Sequence, residues 1–319
     1  MAFVRPQTAG LQSFELMTIE TVFFDEKQRL RSGWRFAIFA FGFLILGVIP
    51  AAVIVDALKA VGEAPGSPLP LFVVNLMLLA AALIVGHLCN RYFDDLPFTS
   101  LGASFLSGWL GRFAIGLAAG VITLCFAVMI CALFGGLSFS LDDVDASAIL
   151  RTFAISLLVF TIGAASEEAV SRGYAMQTFF HSDLRAFGIL FTAALFASGH
   201  FQNDNFNPLA WFNTFLAGVW FGVAYWRTGD LWFPFGMHLA WNWMQGAFFG
   251  IEVSGLTDIT SAPLLKEIDR GPAWLTGENY GIEAGIACTM ALLVSTLVIF
   301  LLPAKTARRS PKSRGEPNT

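Results

Sequence analysis

Long apolar runs, interrupted by short polar and charged stretches, set the pattern of this chain. Runs of about 20 apolar residues are what a helix needs to cross roughly 30 Å of hydrocarbon. They fall at 36–58, 69–89, 113–134, 149–168, 186–201, 209–226, 233–252 and 284–302. The pattern predicts an all-α, polytopic helical membrane protein with about eight transmembrane helices. The divisions that follow are an N-terminal segment over 1–35, a first group of helices over 36–148, a core over 149–303 and a tail over 304–319. No internal repeat is visible, and the one long loop, 253–283, carries turn residues but no pattern of a soluble domain.

Composition agrees with that reading: 56% hydrophobic residues, 13% charged residues and a mean hydropathy of +0.66 exclude a soluble domain of this length. Lys27, Arg29, Arg31 and Arg35 precede the first run; Arg91 and Arg112 lie between the second and third. Arg172 and Arg185 follow the fourth, Arg227 follows the sixth, and the tail holds Lys305, Arg308, Arg309, Lys312 and Arg314. All of these loops share one side, so the basic residues predict that both termini are cytoplasmic. The opposite loop over 137–146 carries Asp142, Asp143 and Asp145.

Residues 1–24 lack the pattern of a cleavable signal peptide and read as a cytoplasmic segment, with an amphipathic patch around 14–24. The Ser-, Pro- and Arg-rich tail reads as disordered, its basic cluster suited to anionic lipid headgroups. The net charge of −4 mixes two faces and points to no partner, nucleic acid included. Cys89, Cys125, Cys131 and Cys288 all lie in apolar runs without metal-ligand spacing and read as small core residues.

Against this background the charges after the fourth run stand out. Glu167 and Glu168 are adjacent there, with Arg172 four residues beyond Glu168. An ionised side chain inside a bilayer persists when it is paired, solvated in a cavity or functional. Glu168 and Arg172 have the i,i+4 spacing of a helical ion pair, which leaves Glu167, about 100° around the helix, without an evident partner. The fifth run places His200 one turn after Phe196, and the seventh places His238 and Asn242 on one helical face. His87 reads as a structural histidine and His181 as a solvated one. Rough helix depths put Glu167 shallower than His200 if its helix ends near Glu168; a helix continuing past Arg172 toward Phe180 brings the groups closer to one level.

Glu167-Glu168-x-x-x-Arg172, Phe196-x-x-x-His200 and His238-x-x-x-Asn242, in this order on successive apolar segments, resemble the motifs of the CAAX protease and bacteriocin-processing family of intramembrane proteases. Arg172-Gly173, the stretch from Thr228 to Pro234 leading into His238, and the turn Tyr280-Gly281-Ile282-Glu283 add to the resemblance, which spans 149–285. Ser171 departs from it, standing where the family commonly has a bulky apolar residue.

The resemblance implies an endopeptidase in which Glu167 activates water. His200 would orient that water, His238 and Asn242 would donate to the oxyanion, and Arg172 would anchor the glutamate pair through Glu168. No cofactor is favoured. The alternative form is a zinc enzyme with Glu167, His200 and His238 as ligands, although no His-x-x-x-His pair preorganises such a site. A second alternative is a non-catalytic immunity or scaffold protein, or a transporter using the polar cavity for protons. The expected partners are a peptide or membrane-protein substrate and the lipid bilayer, and the expected location is a bacterial inner membrane.

Overall fold

The computed structural model describes residues 19–141 and 145–302, so Asp142, Asp143 and the tail lie outside the described residues, as does most of the N-terminal segment. Among the described residues, a helical segment lies at each of the eight apolar runs. They are α1 (Ser32–Ala60), α2 (Pro68–Asp94), α3 (Trp109–Leu133), α4 (Ala146–Phe180), α5 (Arg185–Ser198), α6 (Pro208–Thr228), α7 (Trp232–Trp243) and α8 (Ile286–Leu301). The first four are long and apolar enough to cross a membrane by length and composition; α5 and α8 are shorter apolar helices. α7 is extended by a π-turn, Met244–Phe248. The chain is an integral membrane protein of nearly all-α architecture.

Outward-facing side chains show what surrounds the bundle. Phe41, Val53, Ile84, Ile115, Ile122 and Leu133 are all more than half exposed. A water-soluble protein does not present apolar surface on helix after helix; a bilayer allows it because the backbone polar groups are already satisfied within each helix. The centre is packed from α3, α6, α7 and α8, with Leu124, Trp220, Met237 and Leu292 essentially inaccessible.

Close approach of α3 and α7 fixes the position of the second histidine. Gly236 lies against the backbone of α3, where an added Cβ would sit 2.5 Å from the Phe113 carbonyl oxygen and 2.9 Å from the Leu117 nitrogen. Small residues at helix crossings in lipid let backbones touch in this way. The start of α7 is held by Asp230, which accepts the Trp232 N–H at 3.1 Å and pairs with Arg112 of α3. Burial pushes the Asp230 carboxyl up, against the opposing pull of Arg112.

The expectation of helices alone misses one small feature. β1 (Leu137–Ser140) and β2 (Lys266–Asp269) pair antiparallel, with Leu137 opposite Asp269 and Phe139 opposite Glu267, and tie the loop after α3 to the long 253–283 loop. That loop also contains short helical turns, and it packs over the end of α5 through Asn203, whose side chain donates to the Ser254 carbonyl at 3.0 Å. At the opposite end, buried Arg35 of α1 pairs with Asp94 of α2, which also accepts the Tyr174 hydroxyl of α4 at 3.0 Å. His181, expected to be solvated, sits 3.7 Å from Asp94 in the same cluster. Cys89, Cys131 and Cys288 are buried as expected, whereas Cys125 is exposed on the outer face of α3.

Candidate active site

The helix carrying the glutamate pair does not end near Glu168. It runs on to Phe180 through a π-turn at Ser171–Ala175, kinked at Gly173 (φ −69°, ψ −127°). Roughly 20 Å of helical rise therefore separates Glu167 from the Phe180 end. The charges need no helix end because they satisfy one another within the bundle. Arg172 Nη1 donates to Glu168 Oε1 at 3.1 Å and Nη2 to the Gly218 carbonyl of α6 at 3.0 Å. The guanidinium lies 4.6 Å from the ring centre of Phe196 and 5.1 Å from that of Phe221. Arg172 is completely buried, a position tolerable for a cation with such partners.

His238 meets this pair from α7. Its Nδ1 is 3.0 Å from Glu168 Oε1, and its ring stacks on Phe221 at 4.7 Å with planes 20° apart. Its Nε2 is 3.6 Å from Glu167 Oε2, too far for a direct hydrogen bond. The two adjacent carboxylates are thus in different situations. Glu168 has a side chain 1% exposed and clamped between Arg172 and His238, whereas the Glu167 side chain is 35% exposed and opens into a cavity.

That cavity encloses about 720 Å³ and brings together the side chains expected to act. Glu167, His200, His238 and Asn242 all line it. Arg172 and Glu168 do not; they stand behind its wall. His200 is not on a helix but on the turn after α5, which stops at Ser198. Its Nδ1 lies 2.8 Å from the Phe196 carbonyl oxygen, an acceptor only, so Nδ1 carries a proton and donates. The rest of the wall is largely apolar, including Phe36, Phe43 and Leu44 of α1 and Leu71 and Leu78 of α2.

One cavity residue was not among the expected site residues. Glu283, in the short turn before α8, accepts the Trp241 indole N–H at 3.0 Å and the Ser254 hydroxyl at 2.6 Å. Its backbone is fixed independently by Asn213 of α6, whose side-chain amide donates to the Glu283 and Gly285 carbonyls at 2.8 and 2.9 Å. The available signal was its place in the turn Tyr280-Gly281-Ile282-Glu283 before the last apolar run.

Among the described residues, no three or more His, Cys, Asp or Glu side chains gather as they would to hold a metal ion.

Residues 149–244 match the family model described as type II CAAX prenyl endopeptidase, Rce1-like. The resemblance drawn from the motifs therefore holds over that segment, which contains Glu167, Glu168, Arg172, His200, His238 and Asn242 and stops short of Glu283. The match supports a CAAX-type intramembrane protease in general terms. No curated protein matches the chain.

Proposed function

We propose that this protein is an intramembrane endopeptidase that hydrolyses a peptide bond with water activated by Glu167. The observation that carries the proposal is the asymmetry of the glutamate pair: Glu168 is consumed by Arg172 and His238, and Glu167 is left facing the cavity.

In this mechanism Glu167 takes one proton of the attacking water, and His200 holds the water through Nε2 and aims its lone pair. His238 meets Glu168 through Nδ1 and presents Nε2 toward Glu167 and the cavity, where its role is to donate to the developing oxyanion. The Asn242 amide, one turn further along α7, supplies a second donor to the developing oxyanion. Glu167 then passes its proton to the leaving amine. Arg172 contributes from behind the wall by holding Glu168, which in turn holds the His238 ring.

Cleavage by the purified protein of internally quenched peptides tests this proposal. The expected result is cleavage that survives chelator; activity lost on chelation and restored by zinc would overturn the metal-free mechanism, and no cleavage of any peptide would overturn the proposal itself. A transmembrane or membrane-bound peptide substrate, a bacterial inner membrane and cytoplasmic termini belong to the same proposal, the last resting on the placement of Lys and Arg.

A further inference from the structure

The cavity has an uneven charge inventory. Two carboxylates, Glu167 and Glu283, line it, and among its described lining residues there is no Lys or Arg. The guanidinium nearest the glutamate pair, Arg172, is sealed behind Phe196 and Phe221 with its donors turned to Glu168 and Gly218. Glu167 has a part in the reaction proposed above. Glu283 has none there and stands outside the segment matched to the protease family.

Its geometry is that of a binding group. Each carboxylate oxygen accepts one hydrogen bond, from Trp241 and from Ser254, which fixes the group's orientation and uses about half of the roughly four acceptor positions a carboxylate offers. Among the described residues no Lys or Arg forms an ion pair with it. Burial favours the neutral form of this carboxyl, opposed by its two donors and by His200 nearby. A cation reaching it through the cavity favours the carboxylate, because the attraction is screened far less there than in water. The cavity gives a substrate such access.

Resting on the protease proposal, we infer that Glu283 is a specificity-determining residue that selects a Lys or Arg side chain in the substrate segment occupying the cavity. The same charge inventory disfavours a substrate acidic at that position, and it offers no Lys or Arg to receive a free C-terminal carboxylate. Glutamine at position 283 keeps an acceptor for Trp241 and a polar partner for Ser254 while removing the charge, and the anchoring by Asn213 uses backbone carbonyls alone.

The test uses internally quenched peptides, identical except that one residue at a time across the cleavage site is Lys, norleucine or Glu. At one position the wild-type protein should cleave the Lys peptide with a kcat/KM roughly 10- to 100-fold above its norleucine counterpart, with the Glu peptide poorest. Glu283→Gln should bring the Lys-to-norleucine ratio below about threefold. A wild-type protein indifferent to Lys at every position, or a preference that survives Glu283→Gln, overturns the inference and leaves the protease proposal standing. The wild-type ratio decides even if the variant does not fold. If wild type cleaves no peptide, the protease proposal fails separately. Fluorescence anisotropy of the Lys and norleucine peptides binding to wild type and Glu283→Gln then decides whether the carboxylate selects a cation.

Discussion

Replacing Arg172 by methionine removes the guanidinium while keeping an unbranched apolar side chain between Phe196 and Phe221. It leaves Glu168 Oε1 with His238 as its remaining partner, and Oε2 already has no hydrogen-bond partner among the described atoms. It also frees the Gly218 carbonyl, which accepts from Nη2 at 3.0 Å. Stranding one member of a buried ion pair costs about 3–5 kcal/mol. At roughly 2–4 °C per kcal/mol for a chain of this size, the melting temperature in detergent should fall by about 10 °C. Glu168→Gln strands the other member and should also destabilise. The Arg172→Met/Glu168→Gln double variant removes both charges and should be more stable than the sum of the singles predicts, by about 2–3 kcal/mol of coupling. Differential scanning fluorimetry of the four proteins in one detergent gives the cycle. Arg172→Met melting within about 2 °C of wild type, or strictly additive singles, would refute the claim that the two residues neutralise each other behind the cavity wall.

Asn242→Ala should lower kcat about 10²- to 10³-fold with little change in KM, as expected of an oxyanion donor; steady-state peptide kinetics in which KM rises instead would assign it to substrate binding. Gly236→Ala places a methyl group against the Phe113 carbonyl, two residues before His238, and should lower both melting temperature and activity; unchanged values of both would show that α3 and α7 are not tightly constrained at this crossing. Glu267, in β2, has its carboxyl pushed up to about 8 by burial and by the neighbouring Glu252 and Asp269. The folded state thus binds this proton more tightly than the unfolded one, so the contribution is fully present below about pH 4.5 and is lost as pH rises through about 8. Melting curves of Glu267→Gln should accordingly match wild type near pH 4.5 and exceed it near pH 9, a gain absent if the carboxylate is solvated.

The helices were legible because hydrocarbon thickness imposes a length that apolar runs display directly. Their ends were less so. The apolar run stops at the charges and left both an end near Glu168 and a helix continuing toward Phe180 open; α4 passes through, because Arg172 finds Glu168 on its own helix but Gly218, Phe196 and Phe221 on others. His200 was placed on a helix although α5 ends two residues earlier, and its turn still delivers the ring to the cavity. The i,i+4 relation of Glu168 and Arg172 was visible from spacing alone, whereas the contact of Glu168 with His238 bridges residues 70 positions apart and was not. Glu283 stood in a turn the sequence singled out, but its partners Trp241 and Ser254 lie 42 and 29 residues away, so nothing in that turn placed its carboxylate in the cavity. His181 read as solvated because Asp94, which it faces, belongs to another helix.

Peptide cleavage by Glu167→Gln tests the central claim most directly. Glutamine keeps the shape and much of the hydrogen bonding of the side chain but cannot take a proton from water. The variant should melt with the wild-type protein and bind the quenched peptide as tightly, while its single-turnover cleavage rate falls about 10²- to 10⁴-fold. Glu167→Gln that folds, binds and cleaves at the wild-type rate would contradict the account.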